Sequence, residues 1–75
     1  MDIELLDELR LAYKKATDEW VLAIREEEAL ATEDHSEVAM ERWDAALLRE
    51  QAVMTKAKHA RDKYKDGLRK ENYGF

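Results

Sequence analysis

The chain has 75 residues, no cysteine, no proline and two glycines, and 41% of its residues are charged while 45% are hydrophobic. A chain of this length forms at most one small domain, residues 1–75, and the missing cysteines exclude disulfides and thiol chemistry. Because so few residues favour tight turns, the composition excludes most sheet proteins and predicts an all-α fold.

The balance of charge and the first residues bear on where the protein works. The formal net charge is -5 and the sequence pI is about 5.0, values that favour solubility and disfavour general nucleic-acid binding. Residues 1–4 have neither the basic side chains nor the apolar run of a secretion signal. The uncharged runs are far shorter than the roughly 20 apolar residues that cross a bilayer. We therefore expect a cytoplasmic protein that makes no contact with a membrane.

The first predicted helix covers about residues 2–31, because apolar residues recur there at spacings of three and four. In a heptad, the seven-residue repeat labelled a to g, positions a and d face the partner helix. These positions form the stripe Leu6, Leu9, Tyr13, Ala16, Trp20, Ala23, Glu27 and Leu30. The pattern predicts an amphipathic helix of about 30 residues, roughly 45 Å long at 1.5 Å per residue.

A turn is predicted at about residues 32–35, where the apolar stripe changes phase. Asp34 and Glu37 have the spacing of a capping box, which predicts Asp34 as the N-cap of the second helix. That helix covers about residues 36–71, followed by a short tail at residues 72–75. The alternative is one uninterrupted helix of about 70 residues, since no glycine or proline forces a break. A two-residue offset between the registers of the two stripes favours the hairpin.

The second stripe predicts how the two helices pair. It consists of Ala39, Trp43, Ala46, Glu50, Val53, Ala57, Ala60, Tyr64 and Gly67. Folding the chain about residue 33 into an antiparallel hairpin sets a large side chain against a small one in nearly every layer. Trp20, for example, meets Ala46. Trp43 meets Ala23. In this register residues 65–75 extend past the start of the first helix.

Position g of the second helix is basic in every heptad. We call these residues the basic flank: Arg42, Arg49, Lys56, Lys63 and Lys70. The predicted register places Glu19 opposite Arg49. It also places Glu26 opposite Arg42. Such exposed pairs of opposite charge select the register more than they stabilise the fold.

Apolar side chains collect on the other side of the predicted hairpin. We call this set the apolar flank: Ile24, Met40, Leu47, Met54 and Leu68. Two helices cannot cover this flank with their own atoms, and an exposed apolar patch usually marks an interface. The simplest cover is a second copy, which gives a homodimeric four-helix bundle of the coiled-coil type. The alternative is a helix of a different protein in the same groove.

Glu50 occupies a core position, where a carboxylate costs stability unless it is hydrogen-bonded. We interpret it as a residue that fixes the register or reaches out to solvent, and the alternative is a metal ligand or a catalytic acid. A di-metal carboxylate bundle would also need a Glu-x-x-His repeat, which neither His35 nor His59 completes. The adjacent residues 33–35 of the turn do not form a defined calcium or zinc cage. No metal or other cofactor is predicted.

The sequence lacks the features of a catalytic site. It has no cysteine nucleophile, no glycine-rich phosphate loop and no histidine beside an acid on a concave surface. We predict a non-enzymatic module for protein–protein interaction or assembly. One alternative is a nucleic-acid-associated regulator that binds through the basic flank. Another is a basic partner that docks on the acidic residues 26–28, 33 and 34.

Overall fold

The computed structural model describes residues 3–31, 33 and 36–74 of the chain. Over these residues the fold consists of helix α1, Ile3–Glu28, and helix α2, Glu37–Tyr73, with no β-strand. The two helices run antiparallel and pack against each other, since contacts near the start of α1 involve the far end of α2. The all-α prediction is confirmed, and the alternative of one uninterrupted helix is wrong.

The end of α1 differs from the prediction. The helix ends at Glu28 rather than at residue 31. Beyond it, the amide of Leu30 donates to the carbonyl of Glu27 at 3.1 Å, and the amide of Ala31 donates to the carbonyl of Glu28 at 2.9 Å. These bonds each span three residues, the pattern that tightens the last turn of a helix. The chain therefore begins to leave the helical path within its acidic stretch.

The N-cap of α2 is Ser36, so the prediction of Asp34 in that role is wrong. The Ser36 hydroxyl accepts a hydrogen bond from the amide of Ala39 at 3.2 Å, and Asp34 lies outside the described residues. Serine and aspartate cap helices equally well, so the sequence offers two candidates two positions apart. At the other end α2 continues past the predicted residue 71 to Tyr73. Gly74 then closes the helix at φ 76°, a conformation that glycine adopts without strain.

The residues that the helices bury belong to the two predicted stripes. Ala16 and Ala23 are buried on α1, and Ala57 and Gly67 are buried on α2. Larger stripe residues such as Trp20 are half-buried. Small residues therefore occupy the closest approach of the helices, while the large side chains lie along its edges.

The register of the hairpin differs from the prediction by one heptad. Glu26 forms a salt bridge with Arg49 instead of Arg42. Glu19 forms one with Lys56 at 3.1 Å instead of Arg49. Each glutamate thus binds the next residue of the basic flank along the chain. Because the basic flank repeats every seven residues, the charge pattern is satisfied equally well in either register, and it could not decide between them.

The predicted layers are wrong for the same reason. The ring of Tyr13 lies 6.4 Å from the ring of Tyr64, although the predicted layers set Tyr13 against Val53. Ala16 and Ala57 are both almost fully buried, and Ala16 lines a groove with Ala52 and Ala60 of α2, so small residues lie close together where the helices pack.

The shift of one heptad in the register also brings the C-terminal end of α2 alongside α1. In the predicted register, the residues after Tyr64 extend past α1. In the structure Gly67 is buried, and Leu68 is half-buried. This register therefore removes more apolar surface from water at the open end of the hairpin.

Candidate interaction surfaces

Two carboxylates lie in the stripe between the helices, and each accepts a hydrogen bond from a tryptophan of the other helix. The indole Nε1 of Trp20 donates to Glu50 Oε1 at 2.5 Å. The indole Nε1 of Trp43 donates to Glu27 Oε1 at 3.3 Å. An indole N–H donates only, and a hydrogen bond offsets part of the cost of removing a carboxylate from water. Both pairs tie α1 to α2; the Trp20 and Glu50 pair is half-buried, and the Trp43 and Glu27 pair is exposed.

The sequence raised Glu50 and the turn residues 33–35 as candidate metal ligands. Within the described part of the chain, no group of three or more His, Asp or Glu side chains is arranged to hold a metal ion. Among the turn residues considered as metal ligands, Asp34 and His35 lie outside the described residues. Neither described helix is long and apolar enough to cross a membrane.

The apolar flank is most exposed near the turn. There Ile24 keeps 40% of its surface accessible, Met40 keeps 64% and Leu47 keeps 38%. Met54 and Leu68 are half-buried. Both helices thus contribute exposed apolar side chains near the turn, Ile24 from α1 and Met40 and Leu47 from α2.

Trp43 adds to this surface, which sequence reasoning missed. It occupies a core position of the heptad pattern, yet it is 41% exposed. The reason is that Trp43 lies beside the last turn of α1, where its indole bonds Glu27 and the helix ends at Glu28, so little of α1 remains to cover the ring. Trp43 follows Met40 by one helical turn and precedes Leu47 by another, so its ring extends the patch along α2. The exposure of Trp43 could have been predicted only from the position at which α1 ends, because no pattern within α2 indicates it.

Arginines separate the two ends of the apolar flank. Arg10 bonds Asp7 on its own helix at 2.8 Å. Arg61 bonds its neighbour Asp62 at 3.2 Å. Arg61 stands between Met54 and Leu68 in the heptad series, so the exposed members of the apolar flank lie in the half of the hairpin next to the turn.

The basic flank is only partly matched by acids of α1. Arg49 and Lys56 bond Glu26 and Glu19, as described above. Arg42 lies nearer the turn, past the level of Glu26. The remaining two members, Lys63 and Lys70, lie beside the first half of α1, where Leu5 and Ala12 take the heptad position that Glu19 and Glu26 hold further along. Glu8 of α1 and Asp66 of α2 lie within one helical turn of this row. Among the described residues, the flank therefore forms salt bridges with α1 at Arg49 and Lys56.

The register can be tested by exchanging charges between the helices. Glu19→Lys and Lys56→Glu should each lower the free energy of unfolding by about 0.5–1 kcal/mol, because each leaves like charges facing each other. The double variant should recover most of that loss, as measured by urea denaturation. As a control, Glu19→Lys combined with Arg49→Glu should show no recovery, since those residues do not meet. Recovery in the control would restore the register expected from the sequence.

The helices leave shallow grooves rather than an enclosed cleft among the described residues. Two of them have volumes of about 540 and 530 Å³, and both are open to solvent. Comparison with protein-family models, with curated proteins and with solved structures finds no match for this chain.

Proposed function

We propose that the chain is a cytoplasmic, non-enzymatic assembly module that works as a homodimer joined through the apolar flank. The observation that carries this proposal is the contrast between a very small core and a large exposed apolar surface. Among the described residues, the buried hydrophobic side chains are Ala16, Ala23 and Ala57, and no large side chain is fully buried. Alanines bury little apolar area, so the isolated hairpin has little to stabilise it.

The accessible surface area of the chain also supports a homodimer. The chain exposes 6016 Å², whereas a compact monomer of 8.8 kDa exposes about 4,800 Å². The excess of about 1,200 Å² follows from the elongated shape, 55 × 16 × 12 Å. A standard interface buries about 800 Å² on each partner. One contact with a second copy would therefore remove most of the excess.

A two-fold axis beside the apolar flank supplies this contact. It sets the exposed patch of one copy against the same patch of the other and produces four helices around a second apolar layer. Ile24, Leu47 and Trp43 are then at the centre of the interface. Arg10 and Arg61, which carry charge, fall at its edge, in keeping with the polar rim of protein interfaces.

Sedimentation at concentrations from micromolar to millimolar tests the dimer. The mass should approach twice 8.8 kDa, and the midpoint of thermal unfolding should rise with concentration because assembly stabilises the folded chain. Leu47→Glu places a charge in the patch and should give a monomer that unfolds at lower temperature. Leu48→Glu is the matched control, because Leu48 is the next residue and lies on the outer side of α2, 68% exposed. A monomer at millimolar concentration, or an equal effect of both variants, would contradict the proposal.

Nucleic-acid binding through the basic flank has less support. Two of its five residues, Arg49 and Lys56, are held by glutamates of α1. Those glutamates add negative charge beside any phosphate that approached them. The flank also lacks the interleaved aromatic side chains on which single-stranded bases stack.

A further inference from the structure

The charged residues beside the apolar flank are sorted by sign along α2. The apolar flank occupies heptad position e, and position b lies three or four residues away, on the same side of the helix. The b positions of α2 are all exposed: Glu37, Asp44, Gln51, Lys58 and Lys65. We call Glu37 and Asp44 the acidic row, and Lys58 and Lys65 the basic row. Gln51 divides the acidic row, near the turn, from the basic row, toward the open end of the hairpin.

Both rows lie next to the apolar flank. Lys58 and Arg61 line one shallow groove together with Thr17 of α1, which shares heptad position e with the flank. Asp44 lies within one helical turn of Leu47, a flank residue that is 38% exposed. A molecule that covers the apolar flank therefore meets negative charge at one end and positive charge at the other.

Neighbouring charges reduce the contrast between the rows without removing it. Asp62 lies within one helical turn of both Lys58 and Lys65, but it bonds Arg61. That part of the flank therefore has three cations and one acid. Glu41 lies beside the acidic row, which raises the number of acids there to three. The two ends of this side of α2 thus keep opposite net charges.

The matching side of α1 has the same order of charges in a weaker form. Lys14 lies toward the open end of the hairpin, and Glu28 lies at the turn. Each has a neighbour of opposite sign within one helical turn, Asp18 beside Lys14 and Arg25 beside Glu28. These residues of α1 therefore contribute less to the contrast than the two rows of α2.

The centre of the pattern lies at the same level on both helices. Trp20 of α1 bonds Glu50 of α2, so the residues that follow them, Val21 and Gln51, lie close to one level. Both are exposed. An axis perpendicular to the hairpin can therefore pass both residues. A rotation of 180° about it sets α2 of one copy antiparallel to α2 of a second copy.

We infer that the second copy packs on the apolar flank in the opposite direction, about such a two-fold axis beside Gln51. This inference rests on the proposed homodimer. Asp44 and Lys58 are each seven residues from Gln51, a rise of about 10.5 Å, so the rotation brings Asp44 of one copy beside Lys58 of the other. Glu37 and Lys65 are each fourteen residues away and meet in the same way. The acidic row of each copy thus faces the basic row of the other.

The apolar side chains match in the same arrangement. Leu47 lies four residues before Gln51, and Met54 lies three residues after it. The rotation therefore brings Leu47 of one copy close to Met54 of the other. A second copy supplies the apolar surface and both charged rows in the required order, which distinguishes it from a helix of a different protein.

A dimer with both turns at the same end brings like charges together. In that arrangement α1 of one copy faces α2 of the other at the same level. Trp43 bonds Glu27, so the residues that follow them, Asp44 and Glu28, lie close to one level and would face each other across the interface. Like charges across an interface disfavour association, so the charge pattern selects the opposite direction.

Distances between spin labels test the direction. The chain has no cysteine, so Lys70→Cys gives a single site for a nitroxide label. Lys70 belongs to the basic flank, on the other side of α2, and lies 19 residues from Gln51. Double electron–electron resonance should give about 57 Å between the labels along the bundle. With both turns at the same end the labels would lie side by side, within about 30 Å.

Exchanging charges between the rows tests the contacts themselves. Asp44→Lys and Lys58→Asp should each weaken the dimer by about tenfold or more in sedimentation equilibrium, because each creates two pairs of like charges. A mixture of the two variants should form a dimer about as tight as that of the native chain, since each supplies the charge that the other lacks. This recovery would also show that both variants fold. Lys63→Asp makes the same change on the opposite flank and should leave the dimer intact.

The outcomes separate this inference from the proposed dimer. A monomer at every concentration would contradict both and would assign the apolar flank to a different protein. A dimer whose labels lie within about 30 Å would overturn the direction alone. Tighter association of Asp44→Lys would do the same, because the new lysine would then face Glu28. Single variants that dimerise like the native chain would show that the two rows do not meet.

Discussion

Trp20→Ala is expected to lower the free energy of unfolding by about 3 kcal/mol, as tryptophan-to-alanine changes in protein interiors do. Trp20 is one of the largest side chains between the helices and lies beside Ala57. Its indole is also the donor to the half-buried Glu50 carboxylate. Removing it opens a gap and leaves that carboxylate without this bond. Since a domain of this size has roughly 3–5 kcal/mol of stability in total, most of the chain should be unfolded or close to it.

Urea denaturation followed by far-UV circular dichroism measures this loss. Trp20→Phe is the matched control, because phenylalanine keeps most of the apolar contact and removes only the N–H donor. Its expected loss is about 1 kcal/mol, and it should shrink when Glu50 is also replaced by leucine, because no carboxylate then remains without a donor. A Trp20→Ala variant that unfolds at the same urea concentration as the native chain would show that Trp20 is not part of the seam.

Ala57→Leu is expected to lower the free energy of unfolding by about 1–3 kcal/mol, the usual cost of overpacking a close contact. Ala57 is 2% exposed and lies beside Tyr13 and Trp20 of α1. A leucine there forces the helices apart or into poor rotamers. Ala45→Leu is the control, because Ala45 lies on the same helix and is exposed. It should change the stability by no more than about 0.5 kcal/mol.

Thermal unfolding of the two leucine variants at one protein concentration makes this comparison. The fall in the midpoint should be large for Ala57→Leu and small for Ala45→Leu. Equal midpoints would mean that the helices are not in close contact at Ala57. That result would also remove the basis for an alanine-lined seam, and with it the argument that the hairpin needs a second copy.

The faces of both helices could be read from the sequence. Ala16, Ala23, Ala57 and Gly67 all belong to the stripes that the heptad pattern predicts, and all four are buried. This success has a local cause, because the side of a helix on which a residue lies depends only on its position in the repeat. The same pattern could not reveal the exposure of Trp43, since that depends on where the other helix ends.

The sequence predicted the candidate interaction surfaces less accurately than it predicted the two helices. The apolar flank was identified as a set of positions, but Arg61 divides it and Trp43 extends it toward the turn. The basic flank was treated as uniform. In the structure Arg49 and Lys56 bond glutamates of α1, and Lys63 lines a groove with Ala12. Both differences come from the register of the helices, which decides what each position faces.

The sequence by itself determined that this chain forms two amphipathic helices and which side of each is apolar, because these properties follow from neighbours three and four positions apart. Only the tertiary structure decided the register between the helices. A shift of one heptad returns the same kinds of residue to the same sides, so Glu19 finds a cation in either arrangement. The contacts of Trp20 with Glu50 and of Tyr13 with Tyr64 exist in the observed register. They depend on pairs of residues distant in the chain, which no local pattern encodes.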